Sequence, residues 1–190
     1  MSDHDALRTR ILDAAEQLFY ARGIQAVGMD QLRTAAGVSL KRLYGTFPAK
    51  HDLVEAYLRR RDERWRAALA TFVDAHADTP TSRVLAVFDW LATWFAAPDF
   101  RGCAFLNAHG ELAPTSDAVA RITRDHKQAL HAYLTDLVRP LPHPTPTALA
   151  DQLALLIDGA ITTAALTHTP TPAHTARGVA GVLVGVGATA

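Results

Sequence analysis

The sequence predicts an all-α chain with an N-terminal three-helix domain and a larger C-terminal helical domain, about nine helices in all. Apolar residues recur at helical spacing through most of the chain, and no segment alternates convincingly as a strand does. Prolines divide the periodic stretches, so that 78–81 and 169–172 are predicted as turns and 139–146 as a stiff connector. The domains predicted are 5–66 and 67–190.

The composition is that of an ordinary globular protein. The chain has 190 residues, 49% of them apolar and 20% charged, which is enough to bury a core. Cys103 is the single cysteine, so no intrachain disulfide is expected, and the N-terminus lacks the apolar core of a signal peptide. The most apolar stretch contains Asp151 and Asp158 and is too polar for a membrane span. We therefore expect a cytoplasmic protein that does not contact a membrane.

Residues 30–49 predict two short helices joined by a tight turn. Gly37 stands where a helix ends in the left-handed region, and Ser39 is a good N-cap for a second helix. Leu43 and Phe47, four apart, give this second helix an inner face. A short turn before a polar, partly basic helix indicates a helix-turn-helix, whose second helix enters the major groove of DNA. An ordinary helical hairpin with a solvated face is the alternative.

This region resembles the helix-turn-helix of the TetR family of bacterial transcriptional regulators. The resemblance covers about residues 7–66. The matching residues are Ala36-Gly37-Val38-Ser39, Leu43-Tyr44, Phe47-Pro48, Lys50 and Leu53. Two positions depart from the family pattern, since Gly28 stands where Thr or Ser is usual and Arg33 stands where Ala is usual.

The resemblance implies that a double-stranded DNA operator binds to seven residues. Those nearest to base edges would be Ser39, Leu40, Lys41 and Leu43, and those holding phosphates would be Tyr44, Thr46 and Lys50. The charge distribution agrees, with 12 Lys/Arg against 9 Asp/Glu in residues 1–66 and 7 against 10 from 67 onward. An arginine run at 59–66 predicts a solvated helix face, with a second DNA-binding patch as the alternative.

The C-terminal domain contains a candidate pocket for a small apolar or aromatic effector. Residues 101–108 (RGCAFLNA) resemble a signature that one subset of the TetR family has beside its effector cavity. Helical stripes on either side of this segment supply aromatic and polar side chains, as in a small-ligand site. The candidate ligand-binding residues are Trp90, Trp94, Phe105, Asn107, His109, His126 and Tyr133. A packed core made of the same residues is the alternative.

The last two predicted helices favour a homodimer. Gly178, Gly181 and Gly185 fall on one face of the last helix, and residues 159–164 form a zone of small side chains on the helix before it. The two helices have too much apolar perimeter for the surface of a monomer, so pairing with a second copy is expected, as the resemblance also implies. The alternative is that these helices only cover the core.

Signals for an enzyme are weak. Residues 185–190 match G-x-G-x-x-A, but no helix follows to hold a phosphate. His126 and His131 point to different faces of one helix, and nothing orients Cys103 as a nucleophile near His109. We therefore expect no enzyme, cofactor or metal, and predict a ligand-responsive transcriptional regulator, a repressor. A DNA-binding regulator without an effector pocket and a small helical enzyme are the alternatives.

Overall fold

The computed structural model describes residues 3–185, which form nine α-helices and no strand, as the sequence predicts. The helices are α1 (Asp3–Arg22), α2 (Met29–Ala36), α3 (Leu40–Thr46), α4 (Lys50–His76), α5 (Pro80–Phe95), α6 (Ala104–Leu112), α7 (Asp117–Val138), α8 (Pro146–Thr167) and α9 (Thr171–Gly185). Apart from Gly185, the G-x-G-x-x-A match lies outside the described residues.

The helices cluster into two compact units. The first unit contains the residues up to Arg64 together with Ala104–Arg124, and the second contains Trp65–Cys103 and the residues from Asp125 onward. This clustering assigns α6 and the start of α7 to the same unit as the N-terminal helices. The domain boundary between 66 and 67 remains a prediction, since packing alone does not define a domain.

The first unit has a core of large apolar side chains from α1 to α4. α1 packs against α2, and α2 contacts α3. Ile11, Leu32 and Leu53 are completely buried, and the rings of Phe19 and Tyr57 contact each other with centroids 5.6 Å apart. Burial of each such side chain contributes about 1.5–3 kcal/mol, so this core fixes the positions of the short helices α2 and α3.

Ion pairs join α4 to α1 within the first unit. Arg60 contacts Asp13 at 2.9 Å and Glu16 at 2.8 Å, while Arg61 and Arg64 each contact Glu16 at 3.1 Å. The side chains of Arg60 and Arg61 are only 15% and 13% exposed. The prediction of a solvated arginine face is therefore wrong for these two residues, because acidic side chains of α1 pair with them. The same pairing argues against a second DNA-binding patch.

In the second unit α9 packs against both α5 and α8. α5 begins at Pro80, where the Thr79 hydroxyl accepts a hydrogen bond from the Ser82 N–H at 3.1 Å. α8 likewise begins at Pro146, and Pro172 lies in the first turn of α9. These prolines were predicted to lie in turns and connectors. They start helices instead, because the first turn of a helix does not use the N–H that proline lacks.

Among the described residues one helix, α8, has the length and composition of a membrane span. Core helices of soluble proteins satisfy the same criterion, and α8 carries Asp151 and Asp158. One face of α8 packs against α9 and α5. This packing explains the apolar residues on that face of α8.

Candidate functional site

The turn between α2 and α3 is fixed by one glycine and one capping serine. Gly37 ends α2 with φ 62° and ψ 40°, the left-handed region that glycine enters without a steric cost. The following Val38 N–H donates to the Arg33 carbonyl at 3.0 Å. Ser39 is the N-cap of α3, and its hydroxyl accepts from the Arg42 N–H at 3.3 Å. These local bonds set the angle at which α3 leaves the turn, as the sequence predicts.

α3 is anchored by two apolar side chains and exposes the rest of its surface. Leu43 is completely buried and Phe47, its C-cap, is 2% exposed. On the other faces Leu40 and Tyr44 are each 43% exposed, and Lys41 is exposed as well. A helix that buries one narrow side and presents polar and amphipathic residues on the other has the shape that a major groove accepts.

Three residues predicted to bind DNA have other contacts in the structure. Leu43, predicted to lie near base edges, is buried in the core, and we therefore assign it an anchoring role. The Thr46 hydroxyl donates to the Arg42 carbonyl at 2.9 Å. Lys50 is half-buried, and its ammonium donates to the Ile24 carbonyl at 2.7 Å. Burial lowers the pKa of Lys50 and the nearby Glu111 carboxylate raises it.

The two departures from the family pattern have local partners. Gly28 is the N-cap of α2 and offers no side-chain cap, but the Gln31 side chain accepts from its N–H at 2.9 Å. Arg33 pairs with Asp30 at 2.6 Å on the same helix. The additional positive charge on α2 is thus largely balanced by a neighbouring carboxylate.

Arg42 is a further candidate for phosphate contact that the sequence analysis did not include. It lies on α3, its side chain is 51% exposed, and its guanidinium contacts the 94% exposed Asp3 at 3.2 Å. An ion pair so exposed contributes little and is easily exchanged for a phosphate. The signal was available in the sequence, since Arg42 stands beside Lys41 on the predicted recognition helix.

In the second unit an aromatic cluster contains all three tryptophans of the chain. Trp65 meets Trp90 edge-on with centroids 4.9 Å apart and Trp94 at 5.7 Å, and Trp90 and Trp94 stack at 5.6 Å. His126 is 3% exposed and lies 5.4 Å from the Trp65 ring. The structure thus places three of the predicted ligand-binding residues, Trp90, Trp94 and His126, in one cluster. Trp65 was missed because helical spacing along α4 does not indicate which side chains of α5 and α7 it meets.

Tyr133, also in the second unit, has a buried phenol oxygen with no hydrogen-bond partner in the structure. Burial raises its pKa, the Arg83 charge opposes that shift and the Asp74 charge adds to it. A buried hydroxyl that lacks a partner costs free energy. A polar group of a bound ligand is one way in which such a hydroxyl acquires a partner.

The remaining predicted ligand-binding residues belong to α6 in the first unit. Phe105 is 2% exposed, whereas Asn107 and His109 are exposed. The seven candidates therefore divide between the two units, and a pocket shared by all seven remains a prediction.

The outer faces of α8 and α9 carry an apolar groove of about 800 Å³. Leu155, which lines this groove, is 74% exposed, and Leu166 of α8 and Val182 of α9 are 77% and 67% exposed. A Cβ added at Gly159 or Gly181 would meet no atom within 4 Å. The predicted glycines of α9 and Gly159 of α8 thus face open space in the single chain, whereas Ala160 and Ala164 of the predicted zone on α8 are buried.

Within the described part of the chain, no group of three or more His, Cys, Asp or Glu side chains is arranged to hold a metal ion. Cys103 is buried and not in a disulfide.

Comparisons with known proteins agree with this geometry. The family model described as bacterial regulatory proteins, tetR family, matches residues 11–57. The crystal structure of SCO4454, a TetR-family transcriptional regulator from Streptomyces coelicolor, is 31% identical, and the match covers 95% of this chain and 97% of that chain with a TM-score of 0.84. The structure of sav143, a TetR-type regulator from Streptomyces avermitilis, is 30% identical over 92% of this chain and 97% of that chain, with a TM-score of 0.73.

Two curated relatives match parts of the chain. An HTH-type transcriptional regulator of Mycobacterium tuberculosis is 32% identical over 131 residues, 56% of this chain and 65% of that protein. The HTH-type transcriptional activator FasR of Mycolicibacterium smegmatis is 36% identical over 91 residues, 46% of this chain and 41% of FasR. The chain therefore spans less than two thirds of the length of either protein. These relatives are regulators rather than enzymes, and with the full-length match to SCO4454 they show that this chain belongs to the TetR family of bacterial transcriptional regulators.

Proposed function

We propose that this chain is a cytoplasmic, dimeric repressor that binds a near-palindromic DNA operator and releases it when a small apolar or aromatic effector binds. The observation that carries the proposal is the division of α3 into two buried anchors and an exposed face. Each dimer would place its two α3 helices in successive major grooves, about 34–36 Å apart.

The DNA contacts are proposed for the exposed residues of α3 and its cap. Ser39, Leu40 and Lys41 would face base edges, which supply sequence specificity. Tyr44, Thr46 and, at the start of α4, Lys50 would contact phosphates, which supply salt-dependent affinity. The hydroxyl of Thr46 already donates to a backbone carbonyl, so its phosphate contact requires that hydroxyl to rotate.

The first experiment is a footprint on the DNA that flanks the gene of this protein, repeated with an excess of mixed-sequence duplex at moderate salt. We expect protection of two half-sites one helical turn apart. Lys41→Ala should weaken operator binding by about 1–3 kcal/mol. Arg124→Ala, which removes the same charge from an exposed position on α7, is the matched control and should bind as the wild type does. A wild-type chain that prefers no duplex over the competitor refutes the proposal.

The dimer is proposed to form through α8 and α9. The groove is lined by apolar side chains that include the exposed Leu155 and Val179. A second copy of the same two helices would fill it, giving a four-helix interface about a two-fold axis. Leu155→Glu should convert a dimer to monomers in sedimentation velocity. Leu106→Glu, at a 39% exposed position on α6, is the control that should leave the mass unchanged. A wild-type monomer at working concentrations would exclude this arrangement.

The effector is proposed to bind at the aromatic cluster of the second unit, in contact with Trp90, Trp94, His126 and Tyr133. Ligand binding releases DNA only if the ligand prefers the conformation with low DNA affinity. Because all three tryptophans lie in this cluster, fluorescence excited at 295 nm reports on the cluster alone. A panel of planar aromatic compounds should quench it and lower operator affinity together. Quenching without any change in operator affinity excludes effector-controlled release.

Experiments with the same protein preparations distinguish two alternatives from the proposed function. A regulator with a filled core and no effector would show neither quenching nor a ligand-induced thermal shift. FasR, one of the relatives, is named an activator, so the direction of regulation needs its own test. A reporter gene placed behind the protected DNA should be expressed more strongly when the regulator gene is deleted, and weaker expression would identify an activator.

A further inference from the structure

A carboxylate on α6 is bonded to the turn that joins α1 to α2, within the first unit. The side chain of Glu111 accepts hydrogen bonds from the backbone N–H of Ile24 at 3.1 Å and of Gln25 at 2.8 Å. In return, the Gln25 side-chain amide donates to the backbone carbonyl of Glu111. One side chain of α6 thus satisfies two backbone donors that lie 87 and 86 residues earlier in the chain.

The turn has the backbone shape that this carboxylate requires. Gly23 has φ +86°, and a Cβ added to it would lie only 3.2 Å from Oε1 of Glu111. The left-handed backbone therefore favours glycine at this position, and any larger residue would also crowd the carboxylate of Glu111. Closing α1 with glycine brings the Ile24 and Gln25 amides to the same carboxylate.

The carbonyl side of the same turn is bonded to Lys50, the first residue of α4. The Lys50 ammonium donates to the Ile24 carbonyl at 2.7 Å. Burial lowers the pKa of Lys50, and the nearby Glu111 carboxylate partly opposes that shift. The bonds of Glu111 and Lys50 meet at the turn that precedes α2, and Lys50 itself follows α3. The bonded residues therefore lie on both sides of the helix-turn-helix in the sequence, the turn just before it and Lys50 just after it.

Packing around this contact is incomplete. A cavity of about 110 Å³ is lined by Phe19, Tyr57, Ala104, Ala108 and other residues of α1, α4 and α6. A gap of this size deprives the lining side chains of contacts that close packing would give. The position of α6 against α1 and α4 therefore depends more on the bonds of Glu111 than it would in a filled interface.

We propose that Glu111 is a positioning residue for DNA binding: its carboxylate fixes the α1–α2 turn and, through the Ile24 carbonyl, the Lys50 ammonium, so that loss of these bonds lowers DNA affinity. The ammonium has three donors. One is donated to the Ile24 carbonyl, and in this proposal another is donated to a phosphate of the DNA backbone. The DNA part of this proposal rests on the proposed function, whereas the contact itself does not.

The test compares Glu111→Gln and Gln25→Ala with the wild type. A glutamine accepts from only one of the two backbone amides and presents its NH2 group to the other. Gln25→Ala removes only the exposed reciprocal bond and keeps the carboxylate. The control is Thr123→Val, which loses a different bond of α6, from the buried Thr123 hydroxyl to the Phe105 carbonyl at 3.4 Å. Circular dichroism establishes that each variant is folded.

Two readouts are measured, amide hydrogen exchange at Ile24 and Gln25 and the affinity for a fluorescein-labelled duplex of mixed sequence. In Glu111→Gln we expect exchange at these two amides to accelerate about tenfold or more, since bonds to a charged acceptor are the stronger ones, and DNA affinity to fall by a similar factor. Gln25→Ala should give a smaller change in the same direction. Thr123→Val should change neither readout.

Each other result overturns the proposal at a different point. Unchanged exchange in Glu111→Gln means that the carboxylate does not fix the turn. Faster exchange with unchanged DNA affinity means that the contact is only structural. Equal loss of affinity in Thr123→Val means that general loosening of α6, and not the Glu111 bonds, controls DNA binding. If the wild-type chain does not bind DNA, both the proposed function and the positioning role are refuted. The exchange rates at Ile24 and Gln25 still show in that case whether the Glu111 contact exists.

Discussion

Replacing Gly45 with alanine should stabilise the protein and weaken its binding to DNA. Gly45 lies inside α3, does not have a positive φ, and would place a Cβ more than 4 Å from any other atom. Alanine is favoured over glycine in a helix interior by about 1 kcal/mol. For a chain of this length, that difference corresponds to a rise in Tm of about 2–4 °C.

The same substitution at Gly37 should have the opposite effect on stability. Gly37 also has open space around its Cα, but its φ is +62°. An L-residue in that region costs roughly 1–2 kcal/mol, so the two variants should differ by about 2–3 kcal/mol. Because neither methyl group meets a neighbour, the comparison measures backbone conformation alone.

The assays are urea unfolding followed by circular dichroism and binding to the protected operator fragment. Gly45 lies four residues after Lys41, so the added methyl group would stand on the same face of α3 as the lysine. If that face enters the groove, Gly45→Ala binds less tightly although it is more stable. Equal changes in stability for the two glycines would refute the backbone argument. A more stable Gly45→Ala variant with unchanged affinity would refute the closeness of this face to DNA.

Three further substitutions test other parts of the structure. Tyr133→Phe should keep or raise the free energy of unfolding by about 1 kcal/mol, because the buried hydroxyl has no partner. Since the pKa of Tyr133 in the folded state is raised above 10.0, the wild type should also lose stability as the pH rises above 10.0, and the variant should lack that part of the loss. A clearly destabilised variant would indicate an unseen partner of the hydroxyl. Glu16→Gln should cost about 2 kcal/mol in urea unfolding, since Arg60 and Arg61 lose a charged acceptor, and a neutral result would mean that solvent replaces the pairs. Ser39→Ala should cost about 1 kcal/mol by loss of the N-cap, and no effect would indicate that α3 does not depend on its cap.

The helix-turn-helix could be predicted from sequence because its signals are local. Gly37, Ser39, Leu43 and Phe47 act through bonds and contacts within a few residues, and each was assigned the place in the helix-turn-helix that the structure shows. Leu43 shows the limit of the resemblance. The same residue was predicted both for the inner face and for the base edges, and a side chain that is completely buried can serve only the first.

The residues at which helices begin, and the contacts between residues far apart in the chain, could not be predicted from local sequence signals. Pro80 and Pro146 were interpreted as interruptions because proline breaks a helix interior, although it also begins helices. Spacing within one helix likewise contains no information about which distant residue it meets. The bond from Ile24 to Glu111 therefore follows from the fold and not from any local pattern.

In α3 the residues that secure the helix differ from those that face outward. Leu43 and Phe47 hold the helix in the core, while Leu40, Lys41 and Tyr44 lie at its exposed surface. If α3 reads DNA as proposed, a library randomised at the three outward positions should retain the fold and change the DNA sequences that the protein selects. After gene duplication, mutation at the same positions would give two paralogues separate targets without an intermediate that fails to fold.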